Sequence, residues 1–156
     1  MKIRCSSFQD TQRLAEVLAH QSRVGDIMAL YGTLGAGKTA FARFFIQSLT
    51  GKETEVPSPT FTLLQTYEAP EFEIFHYDLY RLEQEEDVYD LGVEEAFYEA
   101  VNLIEWPEKM GKLLPVRKML KIEIVCEKEE RIFNLSSENP SWEKRLNEME
   151  KQLLLK

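Results

Sequence analysis

Apolar and polar positions recur along the chain with a period that changes from segment to segment, and the changes mark its elements. The opening KIRC, Lys2 to Cys5, predicts a strand. SFQDTQRLAEVLAHQ predicts a helix with Leu14, Val17 and Leu18 on its apolar face and with Ser7 and Asp10 at the spacing of a capping box. Asp26 to Tyr31 is a short apolar strand, Gly32 to Gly37 a loop with little side chain, and Lys38 to Leu49 a helix apolar nearly all round. That helix stops at Gly51, as a central, buried one should. TFTLLQTY and FEIFHYDLY flank a turn at Pro70 and predict an antiparallel pair, the first strand beginning at Thr60. Farther on, the acidic stretch Glu83 to Glu99 predicts short helices, and VNLIEW a buried strand ending in an acid. Pro107 is placed to open a helix. LKIEIVCE and RIFNLSS predict a hairpin across the charged turn Lys128 to Glu130, and the chain from Ser141 a further helix.

Helices and strands interleaved in this way predict a three-layer α/β domain with a mixed, largely parallel central sheet. The 156 residues, 44% of them hydrophobic, suit a single domain over residues 1–156. No apolar run approaches the roughly 18 residues that span a bilayer, and MKIRCSSFQD has no signal-peptide core, so a cytoplasmic protein is expected. Cys5 and Cys126 lie in strand-like runs and are expected as buried small hydrophobes, not a disulfide or metal site. His20 and His76 have no neighbours at metal-ligand spacing.

The net charge of −8 argues against a chain that grips nucleic acid unaided, and leaves room for a partner that grips it. Much of the acid is local: Glu83 to Glu99 holds eight carboxylates and no Lys or Arg, which reads as a solvated helical face or as a docking surface for a basic partner.

The chemistry is concentrated in GTLGAGKT. Gly32, Gly35, Gly37, Lys38 and Thr39 fit the phosphate-cradling pattern GxxxxGK followed by Ser or Thr, in its required order of strand, glycine loop and helix. Glycines let backbone N–H groups curl around an anion, the free amides of the following helix add to the attraction, and Lys38 neutralises β and γ oxygens. Thr39 offers its hydroxyl to Mg²⁺, which defines a P-loop, or Walker A, site for a nucleoside triphosphate. Hydrolysis also needs a placed metal and an oriented water, so acids at strand ends are candidates. Glu105, ending the buried strand, is set to reach the magnesium shell, and Asp78, ending HYD, to orient the attacking water. In VPSPTFTLLQTYE two prolines restrict the backbone around Ser58, and Thr60 supplies a hydroxyl, as suits either a loop that closes on a γ-phosphate and metal or a plain junction of loop and strand.

Taken together, GTLGAGKT, SPTF, HYDLYRL and LIEWPEK, in this order and spacing, closely resemble the bacterial TsaE (YjeE) family of ATPases, from about Thr11 to Leu135. The resemblance implies the P-loop NTPase fold and a weak ATPase that acts with the TsaD and TsaB proteins in making threonylcarbamoyladenosine in tRNA, meeting tRNA only through those partners. By matching motif, it implies that the backbone of Gly35, Ala36, Gly37, Lys38, Thr39 and Ala40 and the Lys38 side chain bind ATP. It further implies that Thr39 and Glu105 hold Mg²⁺, that Asp78 assists hydrolysis alongside Lys38 and Glu105, and that Thr11 and Arg131 flank the adenine. A small-molecule kinase would share the cradle but needs an arginine-bearing lid, and the chain's eight arginines are scattered singly. A guanine-nucleotide switch would need an Asn-Lys-x-Asp segment, which is missing. An ATP-binding scaffold without required turnover has the same sequence signature.

Overall fold

The computed structural model describes residues 1–154. Its centre is the strand predicted before the glycine loop, β2 (Ile27–Tyr31), whose side chains are almost wholly buried. A parallel neighbour lies on each side: β5 (Ala100–Glu105), buried at every position, and β6 (Leu120–Glu127). Strands covered on both faces read as continuous apolar runs, which is why IMALY and AVNLIE lack alternation. Beyond β5 come parallel β4 (Glu73–Asp78) and then antiparallel β3 (Leu64–Glu68). Beyond β6 come antiparallel β7 (Glu130–Ser136) and β1 (Lys2–Cys5). The seven strands thus run β1-β7-β6-β2-β5-β4-β3, a mixed sheet parallel in its middle.

Helices cover the sheet on both sides. One face carries α1 (Phe8–Gln21), α2 (Lys38–Thr50) and α4 (Pro140–Leu154), which bury Leu14, Leu18, Phe41, Phe45, Trp142 and Met149 in a common core. The other carries α3 (Val93–Glu99) and the 3-10 segments Glu85–Leu91 and Pro107–Leu113, packed over Ile27, Ala29, Tyr77 and Ile104. Among the described residues no helix is long and apolar enough to cross a membrane.

Three local expectations are corrected. The strand expected from Thr60 starts at Leu64, because Thr60 to Leu63 form a turn: Leu63 N–H donates to Pro59 O at 2.6 Å and Leu63 has φ 66°. Cys5 is buried, but Cys126 is exposed, since it sits where the alternation of β6 runs out beside the Lys128 turn; both thiols are free. At the start of α1, Ser7 Oγ accepts the Asp10 amide at 3.2 Å, as a capping box requires, but the Asp10 carboxylate takes the amide of Ser6 at 3.0 Å.

Candidate nucleotide site

The glycine loop leaves β2 at the carboxyl end of the parallel strands and enters α2 directly. Gly37 caps α2 at φ 111°, with no side chain occupying the first free amides of the helix. A Cβ there would be strained and would stand 3.0 Å from Arg131 Nε. Gly32 faces a second close approach, where a Cβ would lie 3.0 Å from both Ala36 Cβ and Ile124 O. The loop is therefore bare at Gly32 and Gly37 because β6 and β7 press on it there. Ala36 is buried within it and donates its amide to Thr33 O at 3.0 Å; Ala40 follows, half-buried, in the first turn of α2.

Lys38 points back across this loop. Its ammonium donates to Gly32 O and to Thr33 O and lies 3.5 Å from the centroid of the Trp106 ring. Burial lowers its pKa below the ordinary lysine value, against the pull of Glu105, Glu108 and Asp78 in the other direction. Trp106 holds φ 58° between Glu105 and Pro107 and packs on Tyr80 at a ring separation of 5.0 Å.

Thr39, next in α2, donates its hydroxyl to Glu105 Oε1 at 2.8 Å. Glu105 ends β5, and its register partner on β4 is Asp78, so the two acids sit side by side at adjacent strand ends. Asp78 Oδ2 accepts the Thr60 hydroxyl at 2.9 Å, and Oδ1 accepts the Tyr80 amide at 3.1 Å. Ser58 Oγ lies 2.7 Å from Thr60 Oγ1, which extends the chain of hydroxyls into the proline-bounded loop. Each carboxylate is thus held by a threonine from a different segment, Thr39 from the start of α2 and Thr60 from SPTF.

Thr11 and Arg131 come together as well. With Cys5, Ser7, Phe8 and Glu129 they line a cleft of about 210 Å³ between α1 and the β6–β7 turn, and the Arg131 side chain reaches from it to the glycine loop, where it fills the space a Cβ on Gly37 would need. Burial drives the Cys5 thiol up to about 11, so it faces the cleft as an inert, uncharged group.

Two residues at the site escape the sequence reading. His76, solitary by spacing, is fully buried on β4, and its Nε2 lies 2.7 Å from Glu105 Oε2. Its signal was the strand period: His76 and Asp78 are two apart and share one face of β4. Trp106 had only its place between an acid and a proline. Among the described residues no group of three or more His, Cys, Asp or Glu could hold a metal ion alone. One carboxylate with one hydroxyl, both hard oxygen donors, suits instead a divalent ion that draws its remaining ligands from phosphate and water.

The family described as threonylcarbamoyl adenosine biosynthesis protein TsaE matches residues 5–133. A protein of Rickettsia conorii named tRNA threonylcarbamoyladenosine biosynthesis protein TsaE is 50% identical over 109 residues, 70% of this chain but only 62% of that one's length. Its namesake in Rickettsia prowazekii is 40% identical over 135 residues, 86% of this chain and 93% of its own. In Bacillus subtilis the value is 36% over 120 residues, 76% of this chain and 74% of the relative. The crystal structure of Bacillus subtilis YdiB superposes with a TM-score of 0.82 at 28% identity, covering 97% of this chain and 95% of its own.

Proposed function

The chain belongs to the TsaE family of threonylcarbamoyl adenosine biosynthesis proteins, and on that premise we propose that it is the ATP-binding and ATP-hydrolysing component of the tRNA threonylcarbamoyladenosine machinery. It acts in the cytoplasm with TsaD and TsaB, and tRNA is reached only through them. The observation that carries this reading is the meeting of Thr39 and Glu105 at the root of an uncapped, glycine-lined helix N-terminus, with Asp78 on the adjacent strand.

The chain's own groups divide the work. Amides from Gly35 to Ala40 and the α2 dipole receive the phosphates, and Lys38 exchanges the carbonyls of Gly32 and Thr33 for phosphate oxygens. Thr11 and Arg131 flank the base in their cleft. Thr39 and Glu105 would hold Mg²⁺, which would neutralise charge on the phosphate oxygens. Asp78, once Thr60 gives up its hydroxyl bond, accepts a proton from the water that attacks the γ-phosphorus as the bond to the β–γ bridging oxygen breaks. Hydrolysis then drives or resets the partner complex. The exposed acids between Glu83 and Glu99, none in a salt bridge among the described residues, support contact with tRNA through partners instead of directly.

The test is ATP turnover with and without TsaB and TsaD, for the wild type and Asp78→Ala. Partners should raise wild-type turnover, and Asp78→Ala should lower it by about 10²-fold or more while still binding ATP. Turnover indifferent to both partners would instead favour a kinase. Complex formation with no turnover would leave a scaffold.

A further inference from the structure

His76 has no part in the function proposed above, yet it is fully buried against the group on which that function turns. Its Nε2 meets Glu105 Oε2 at 2.7 Å, while the other oxygen of the same carboxylate takes the Thr39 hydroxyl at 2.8 Å. A carboxylate only accepts, so the proton must sit on Nε2, and the imidazole is a donor toward Glu105. Its Nδ1 is buried with no hydrogen-bond partner. A buried polar ring kept at the expense of an unpaired nitrogen must return something at its other end, and among the described residues the one partner there is Glu105.

We infer that His76 is a positioning residue for the ion site: its Nε2–H pins Oε2 of Glu105 and so fixes Oε1 as the oxygen turned to Thr39. Without it the carboxylate could rotate about its last bond and present either oxygen, or neither, to the phosphate loop. The placement follows from the sheet. His76 and Asp78 project from the same face of β4, which runs parallel to β5 with Asp78 opposite Glu105. One strand thereby supplies both the acid proposed to orient water and the imidazole that orients the neighbouring acid. Outer groups of this kind typically change metal affinity by about 10–100-fold when removed.

This inference rests on the Mg²⁺-ATP reading of the site, and the experiment separates the two. Mn²⁺ binding to the protein–ADP complex is followed by electron paramagnetic resonance, and ADP affinity in EDTA by calorimetry, for wild type, His76→Leu and His76→Gln. The glutamine amide can place an N–H near that of Nε2. Expected are metal-free ADP affinity within about twofold of wild type in both variants, Mn²⁺ affinity at least about tenfold weaker in His76→Leu, and most of it restored in His76→Gln. Should His76→Leu not fold, His76→Asn, too short to reach Glu105, takes its place with the same expectation. Wild-type Mn²⁺ affinity in the folded Leu or Asn variant overturns the inference, as does failure of Gln to restore it. Failure of the wild type itself to bind ADP overturns the nucleotide reading beneath it.

Discussion

Asp26, at the entry to β2, and the Lys38 and Glu105 side chains beyond its other end are buried to a similar degree, with relative exposures of 7%, 4% and 2%. Their partners differ in kind. Asp26 takes both arms of Arg145, at 2.6 and 3.0 Å, and also the Arg23 amide at 2.7 Å, while Arg145 donates to Gln21 O and lies over Trp142. Charge there is met by opposite charge in a bidentate geometry. Lys38 rests on two carbonyls and a ring, and the Glu105 and Asp78 carboxylates on threonine hydroxyls, with His76 behind Glu105. Burial alone does not distinguish a working charge from a structural one. On the function proposed above, the difference lies in neutral partners, which a phosphate or a cation can displace.

The contrast breaks most visibly at the structural end. Arg145→Ala leaves Asp26 buried without its counter-charge and should cost about 3–5 kcal/mol of stability in urea unfolding, with ATP affinity of the folded fraction unaltered. Stability within 1 kcal/mol of wild type, by the same order of reasoning, would mean that the ion pair is dispensable.

Lys38→Ala should show the reverse pattern. Removing the side-chain charge aimed at the phosphates should weaken Mg²⁺-ATP binding roughly a hundredfold or more by calorimetry. Stability of the nucleotide-free protein should hold or rise, because burial already weighs against the charge. Unchanged ATP affinity would remove the site assignment.

The smallest effect sharpens the same point through pH. Because the folded pKa of Lys38 is lowered, the unfolded chain binds more protons between the folded and ordinary values, and stability rises with pH across that window. Below the folded value Lys38 is charged in both states and its burial penalty is fully present. Relative to Lys38→Met, the nucleotide-free wild type should therefore gain stability as pH climbs toward the ordinary lysine range, and bound ATP should abolish the gain. A parallel pair of pH profiles would contradict it.

Much of this was legible from sequence because it is local. The order of strand, glycine loop and helix, the parallel centre and the acids ending β4 and β5 all follow from short-range pattern. What escaped is relational. His76 gains its meaning from a carboxylate on another strand, 29 residues away, and Asp26 from an arginine 119 residues away. The helix expected from Ser141 is the element that brings Arg145 there, with Trp142, Leu146 and Met149 packed into the core. The Thr60 strand start failed because a hydroxyl bond to Asp78 and a left-handed Leu63 override the extended preference of TFTLL. Cys126 failed because alternation says which face a residue takes but not where the covering layer ends.

The chain has two tryptophans, and each carries a cation on its ring: Lys38 lies 3.5 Å from the Trp106 centroid and Arg145 3.6 Å from that of Trp142. The protein is therefore wired with one optical reporter at each end of its central strand. If nucleotide binds as proposed, an ammonium leaving for a phosphate should alter the emission of Trp106 and leave that of Trp142 unchanged, whereas loss of the fold should change both. With one indole at a time replaced by phenylalanine, occupancy and unfolding become separately visible in a single cuvette, without a label.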